Sequence, residues 1–178
     1  MTDLNDSVLV KRCLEGDGRA FEALLDRYQK TVFNVVYRMV KDVEEAQDIT
    51  QASFVKVYEN LRSFNPKYKF FSWIYKIAVN ESLNYINQRK RVSELNEEIV
   101  SEENNPEGVL DNIEISEKID ECLMKLSPEY RIVIVLRHFQ DLPYNEIGQI
   151  LDIPEQTVKS RLFAARQALR KHLLRKGM

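Results

Sequence analysis

Apolar residues recur at steps of three and four along almost the whole chain, and a period of two is hard to find for more than a few residues. That periodicity predicts an all-α protein. A first short helix is expected at about 5–15, stopped by Gly16-Asp17-Gly18, and Phe21, Leu24, Leu25, Tyr28, Val32, Val36, Met39 and Val40 mark one stripe of a second at about 20–40. Asp42 with Glu45 three residues on is a capping box for a third, running to about Leu61. Asn65-Pro66 breaks it, and Ser72 can cap a fourth that ends in the basic cluster Arg89-Lys90-Arg91. Further along, Ile115, Ile119, Cys122 and Leu126 define a helix that Ser127-Pro128 ends. The same pair starts the next helix, with Ser as N-cap and Pro in the first turn. A short helix from Tyr144 to Leu151, the turn Asp152-Ile153-Pro154 and a longer helix from Glu155 to about Leu174 have the spacing of a helix-turn-helix. Five Gly and five Pro in 178 residues are too few for an all-β chain with many tight turns.

Charge divides the chain. The net charge of −2 is the balance of +3 over residues 1–91, −9 over 92–120 and +4 over 121–178. The acidic stretch opens with sparse apolar residues, no helical period and an Asn-Asn-Pro breaker, so 92–111 reads as a flexible linker between a domain at 1–91 and one at 112–178. Two basic blocks in an acidic protein are the footprint expected for a polyanionic partner. The longest apolar runs, such as Ile132 to Leu136, are far shorter than a membrane span, and the start MTDLNDS is acidic. These features predict a cytoplasmic protein with no membrane insertion of its own.

In the last helix Val158, Leu162, Ala165, Leu169 and Leu173 form an apolar seam, and no acid occurs between Gln156 and His172. A hairpin packed on a partner would show the same seam, but a plain surface helix mixes acids with its bases. Gln156, Thr157, Lys159, Ser160, Arg161 and Arg166 are therefore candidates for DNA contact, the first five near the N-terminus, where a recognition helix meets base edges. The fourth helix carries a second polar stripe, Lys76, Asn80, Asn84, Asn87 and Arg91. Asparagine is a weak helix former, so three on one face call for a use, and an amide can pair with the edge of an exposed base. The nearby aromatics Phe70, Phe71, Trp73 and Tyr75, beside Lys67 and Lys69, suit stacking on single-stranded DNA, although Phe71, Trp73 and Ile74 are more economically read as core.

Catalysis finds little to work with. His138 and His172 are the only histidines, both in helical stretches, and there is no Gly-rich phosphate loop and no paired nucleophile and base. No catalytic residue, metal or cofactor is expected. Cys13 and Cys122 fall at apolar helix positions and read as small core residues, with a redox role the alternative.

With these residues in hand, the chain resembles the extracytoplasmic-function (ECF) group of bacterial RNA polymerase sigma factors over nearly its full length. The likeness is carried by GDGRAFEALLDRY, DITQASFVKVYENLRSF and FFSWIYKIAVNESLNYINQRKR in the first block, and by LSPEYRIVIVLRHFQDLPYNEIGQILDIPEQTVKSRLFAARQALRKHL in the second. It implies a region 2-like domain that binds core polymerase, reads the minus-ten element and opens the strands, and a region 4-like domain for the minus-thirty-five element. It also implies that Asp48, Gln51 and Phe54 dock on the polymerase, that Asn80 and Asn84 lie in the minus-ten reading helix, and that an anti-sigma factor holds the protein inactive. Ala52 stands where the family commonly has Glu, Asn84 where Asp is common, Gln88 where a base is common, and Glu155-Gln156 where two small residues are usual. These departures bear on docking and promoter sequence, not on fold. The rival from another class is a stand-alone helix-turn-helix repressor or activator with a helical sensing domain, which would need dimerisation and paired half-sites.

Overall fold

Short polar side chains start several of the helices. Asp17 accepts from the Arg19 N–H at 3.1 Å, Asp42 from the Glu45 N–H at 3.1 Å, and Ser127 from the Tyr130 N–H at 3.4 Å with Pro128 in the first turn. Each such cap satisfies a backbone donor the helix leaves unpaired and stabilises by about 1 kcal/mol. A computed structural model describes residues 5–95 and 111–177. Among them are eight α-helices and no strand: α1 (Asp6–Leu14), α2 (Gly18–Val40), α3 (Val43–Glu59), α4 (Phe70–Leu95), α5 (Asp111–Met124), α6 (Pro128–Ile134), α7 (Tyr144–Leu151) and α8 (Glu155–Arg175). No helix among these residues is long and apolar enough to cross a membrane.

Helices α1 to α4 bury Leu24, Val32, Val35, Val36 and Met39 of α2 against Ala46, Phe54 and Val57 of α3 and Phe70, Ile74, Ala78 and Val79 of α4. The expected α2 stripe is thus a core stripe, although Phe21, Leu25 and Tyr28 are only partly covered. Ser72 is not the cap of α4. The helix starts two residues earlier because Phe70 inserts fully, and Ser72 lies buried inside its first turn with no partner for its hydroxyl. At its other end α4 continues past Arg91 to Leu95, so the first residues of the expected linker are helical; residues 96–110 of that linker lie outside the described residues.

In the second block, Leu123, Ile132, Val133, Leu136, Ile147, Ile150, Val158, Leu162 and Ala165 form the interior among α5 to α8. Helix α7 ends at Asp152, which takes the left-handed conformation (φ 57°) that Asp tolerates better than most residues. The Ile153 N–H then returns to the Gly148 carbonyl at 3.0 Å, closing the turn. A Cβ on Gly148 would stand 2.8 Å from the Ile153 carbonyl oxygen, so this tight turn admits only glycine. The helix expected to run through Phe139 instead changes at Val135–Phe139 to one π-helical turn. The extra residue per turn redirects Phe139 and Gln140 toward the first block.

The two blocks touch. α4 packs against α7, and the C-terminal end of α2 meets α5 and α6. Arg131, on α6, is 5% exposed and spans the junction: its guanidinium donates to the carbonyls of Leu123, Met124 and Leu126 in its own block and to that of Met39 at the end of α2.

Candidate nucleic-acid interface

Helix α4 turns one face inward through Ile74, Ala78, Val79 and Ser82 and leaves Asn80, Asn84 and Asn87 exposed on another. The three amides follow steps of four and three, so they form a row along the axis. None of them caps a turn or bonds within the fold among the hydrogen bonds seen here. Lys76, one turn before Asn80, is half-buried with its Nζ 3.7 Å from the Asp152 carboxylate. The aromatics upstream are mostly structural: Phe64, Phe70 and Trp73 pack ring on ring with centroids 5.4–5.9 Å apart. They wall a cleft of about 340 Å³ whose other sides include Asn65, Tyr68, Ser72 and Lys76, with Gln149 and Asp152 opposite. Its aromatic and amide lining and one unpartnered buried hydroxyl suit a planar heterocycle with polar edges.

Helix α8 buries Val158, Leu162 and Ala165, while Leu169 and Leu173 of the expected seam are only partly covered. Gln156, Lys159, Ser160 and Arg166 are exposed; Thr157 and Arg161 are half-covered. All six belong to the half of α8 that follows the turn. Lys159 pairs with Glu155 at 2.8 Å, one turn back, and the Ser160 hydroxyl donates to the Thr157 carbonyl at 3.1 Å. The Arg166 Nε donates to His138 Nε2 at 3.2 Å, which requires that nitrogen of the imidazole to be unprotonated. Burial, with the charges of Arg166 and Arg137, holds the His138 pKa below its ordinary value. Exposed on the π-turn and bonded to a base, His138 has no nucleophile to activate.

A third surface lies between α2 and α3. Phe21, Leu25, Phe33, Phe54, Val55 and Tyr58 line an open apolar groove of about 1030 Å³, with Gln47, Gln51, Asp26 and Lys30 at its polar margins. Val55 is 50% and Tyr58 63% exposed, an unusual arrangement for large apolar side chains side by side. Gln51 and Phe54 belong to the groove, whereas Asp48 is exposed on α3 outside its lining. Sequence periodicity does not reveal this surface, because Phe21 and Leu25 share the stripe that forms the core. Among the described residues no group of His, Cys, Asp and Glu is arranged to hold a metal ion. Cys122 is buried and Cys13 half-buried, its thiol pKa raised first by burial and then by Asp17.

Comparison with known proteins matches both blocks. The family profile "Sigma-70 region 2" covers residues 24–92, and "Sigma-70, region 4" covers 116–169. The ECF RNA polymerase sigma factor SigW of Bacillus subtilis is 36% identical over 176 residues, spanning 92% of this chain and 94% of that protein. The RNA polymerase sigma-H factor of Pseudomonas aeruginosa is 32% identical across 97% of this chain and 96% of its own length. The ECF RNA polymerase sigma-E factor of Escherichia coli K12 is 35% identical over 93% of each. Among solved structures, that of CnrH in complex with the cytosolic domain of CnrY superposes with a TM-score of 0.74, covering 94% of this chain and 96% of that one at 22% identity. The sigma factor RpoE of Bartonella quintana, in complex with the anti-sigma factor NepR, gives 0.70 at 22% identity, covering 86% of this chain and 96% of that one. These two likenesses establish a shared fold.

Proposed function

The chain belongs to the ECF group of bacterial RNA polymerase sigma factors, transcription-initiation factors and not enzymes, and on that footing we propose how its surfaces divide the work. The groove between α2 and α3, with Gln51 and Phe54 in its lining and Asp48 nearby, docks on core RNA polymerase. Lys76, Asn80, Asn84 and Asn87 read the minus-ten element as its strands separate, with the aromatic cleft beside α4 receiving an unstacked base. Gln156, Thr157, Lys159, Ser160, Arg161 and Arg166 meet the minus-thirty-five duplex in the major groove. The domains are 1–91 and 112–178, with 92–111 as the acidic connection. The protein works in the cytoplasm, and an anti-sigma factor covers one or more of these faces.

The observation that carries the reading is the row of exposed amides on α4, positioned beside a cleft of the size and chemistry of a base. Division of labour follows from charge. A chain with net charge −2 neutralises few phosphates and grips DNA weakly alone, so polymerase supplies most of the affinity and the sigma factor supplies choice. Flipping a base costs a few kcal/mol, which contacts to its edge and faces must offset. A stand-alone regulator would leave the region 2 match over 24–92 without a purpose.

Replacing Asn80 and Asn84 together with Ala tests this. Alanine is the better helix former, so thermal stability should stay the same or rise. Core polymerase should bind normally, while open complexes on a duplex promoter should fall by about tenfold or more, the worth of one or two lost base contacts. Equal loss on a template already unpaired at the minus-ten element identifies base reading, and loss confined to duplex identifies melting. No loss on either template would remove these residues from the interface.

A further inference from the structure

The contacts between the two blocks have a consistent polarity. Every ion pair that crosses the junction among the described residues takes its cation from the first block and its anion from the second: Lys69 with Glu146, Lys76 with Asp152 at 3.7 Å, Lys41 with Asp120 at 2.8 Å and Arg38 with Asp120 at 3.9 Å. Polar and aromatic contacts reinforce them. The Tyr75 hydroxyl meets Gln140 Oε1 at 2.9 Å, and the Arg38 guanidinium lies 4.1 Å from the centroid of the Phe139 ring. Glu146 is only 7% exposed, so its carboxylate is committed to this junction and not to solvent.

Location gives these pairs a consequence. Lys69 and Lys76 flank the aromatic cleft and the start of the amide row, where a DNA backbone would pass, and Gln149 and Asp152 close the cleft's far side. The acids come from α7 and its cap, the first helix of the helix-turn-helix, which crosses the DNA backbone when that motif docks. We propose that the free chain is self-inhibited: Glu146 and Asp152 of the helix-turn-helix occupy the cations of the minus-ten face in place of phosphates, so each DNA-reading element masks the other until polymerase binding draws the blocks apart. This rests on the minus-ten assignment above and adds its regulation. Asp120, between Arg38 and Lys41, is the second fastening point, and its Oδ1 and the Arg38 Nε are both buried without a hydrogen bond. A charge pair so imperfectly satisfied is a fastening that can be released.

The test is the variant carrying Asp120→Asn, Glu146→Gln and Asp152→Asn, isosteric changes in residues assigned to neither DNA nor polymerase contact. Small-angle scattering should give a larger radius of gyration than for the parent chain. The free variant should bind a labelled single strand carrying the minus-ten element of a promoter the holoenzyme transcribes at least tenfold more tightly, with unchanged helicity by circular dichroism. Asp152→Asn alone, at an exposed position whose left-handed backbone Asn tolerates, should show part of the gain and guards against a folding defect in the triple variant. On a pre-unpaired template with saturating polymerase, parent and variant should be equal. An unchanged radius, or expansion without tighter binding, would overturn the proposal. Parent and variant both failing to retain the strand even within holoenzyme would instead refute the minus-ten assignment, and self-inhibition with it.

Discussion

Val55→Asp should abolish binding to core polymerase while leaving the fold intact. Val55 is half-exposed in the middle of the α2–α3 groove, so a carboxylate there stays hydrated in the free protein and stability should change by no more than about 0.5 kcal/mol. In a complex that fills the groove, the same carboxylate loses its water with apolar Phe21, Leu25, Phe54 and Tyr58 around it. Burying an unpaired charge costs several kcal/mol, and about 3 kcal/mol already lowers affinity by roughly a hundredfold. Affinity measured by fluorescence anisotropy with purified core polymerase reads the effect directly. Affinity within twofold of the parent would mean that polymerase docks elsewhere.

Arg131→Met should lower unfolding free energy by about 3 kcal/mol or more. A charge-assisted hydrogen bond contributes roughly 1.5–3 kcal/mol, and the guanidinium makes four, one of them to the Met39 carbonyl across the junction. Methionine fills the stem volume but leaves those buried carbonyls at the ends of α5 and α2 without donors. Burial pulls the Arg131 pKa down to about 10, so the side chain is still charged at neutral pH and the comparison is free of titration there. Arg131→Lys should recover part of the loss, since an ammonium lacks the planar fork that reaches four acceptors. Urea unfolding of the three proteins settles it. A Met variant as stable as the parent would show the carbonyls to be satisfied by other means.

These two residues mark the boundary of what the sequence discloses. Helix type and most boundaries follow from period and caps: Asp42 with Glu45 and Ser127 with Pro128 start helices where expected, and Tyr144 to Leu151 is found with the expected ends. The recognition-helix candidates and the asparagine row are legible because exposed residues need only a face, and a face is periodic. Ser72 misleads because capping is a local preference, and the burial of Phe70 two residues earlier outweighs it. Arg131 is harder to read. Its one signal is a lone charge in the run from Tyr130 to Leu136, and its acceptor at Met39 is 92 residues away. The groove and the junction share that difficulty, since Lys69 and Glu146 are 77 residues apart and nothing local pairs them. The π-turn that brings Phe139 and Gln140 to the junction leaves the apolar spacing before it unchanged.

The central claim is that this chain confers promoter choice on a polymerase that lacks it, and run-off transcription tests it most directly. Purified chain and core polymerase are mixed with a library of promoter fragments, and transcripts are mapped at their starts. Defined starts should appear only when both proteins are present, downstream of a shared pair of elements near minus ten and minus thirty-five. A chain that binds paired DNA half-sites as a dimer on its own, and yields no new starts with polymerase, would contradict the account.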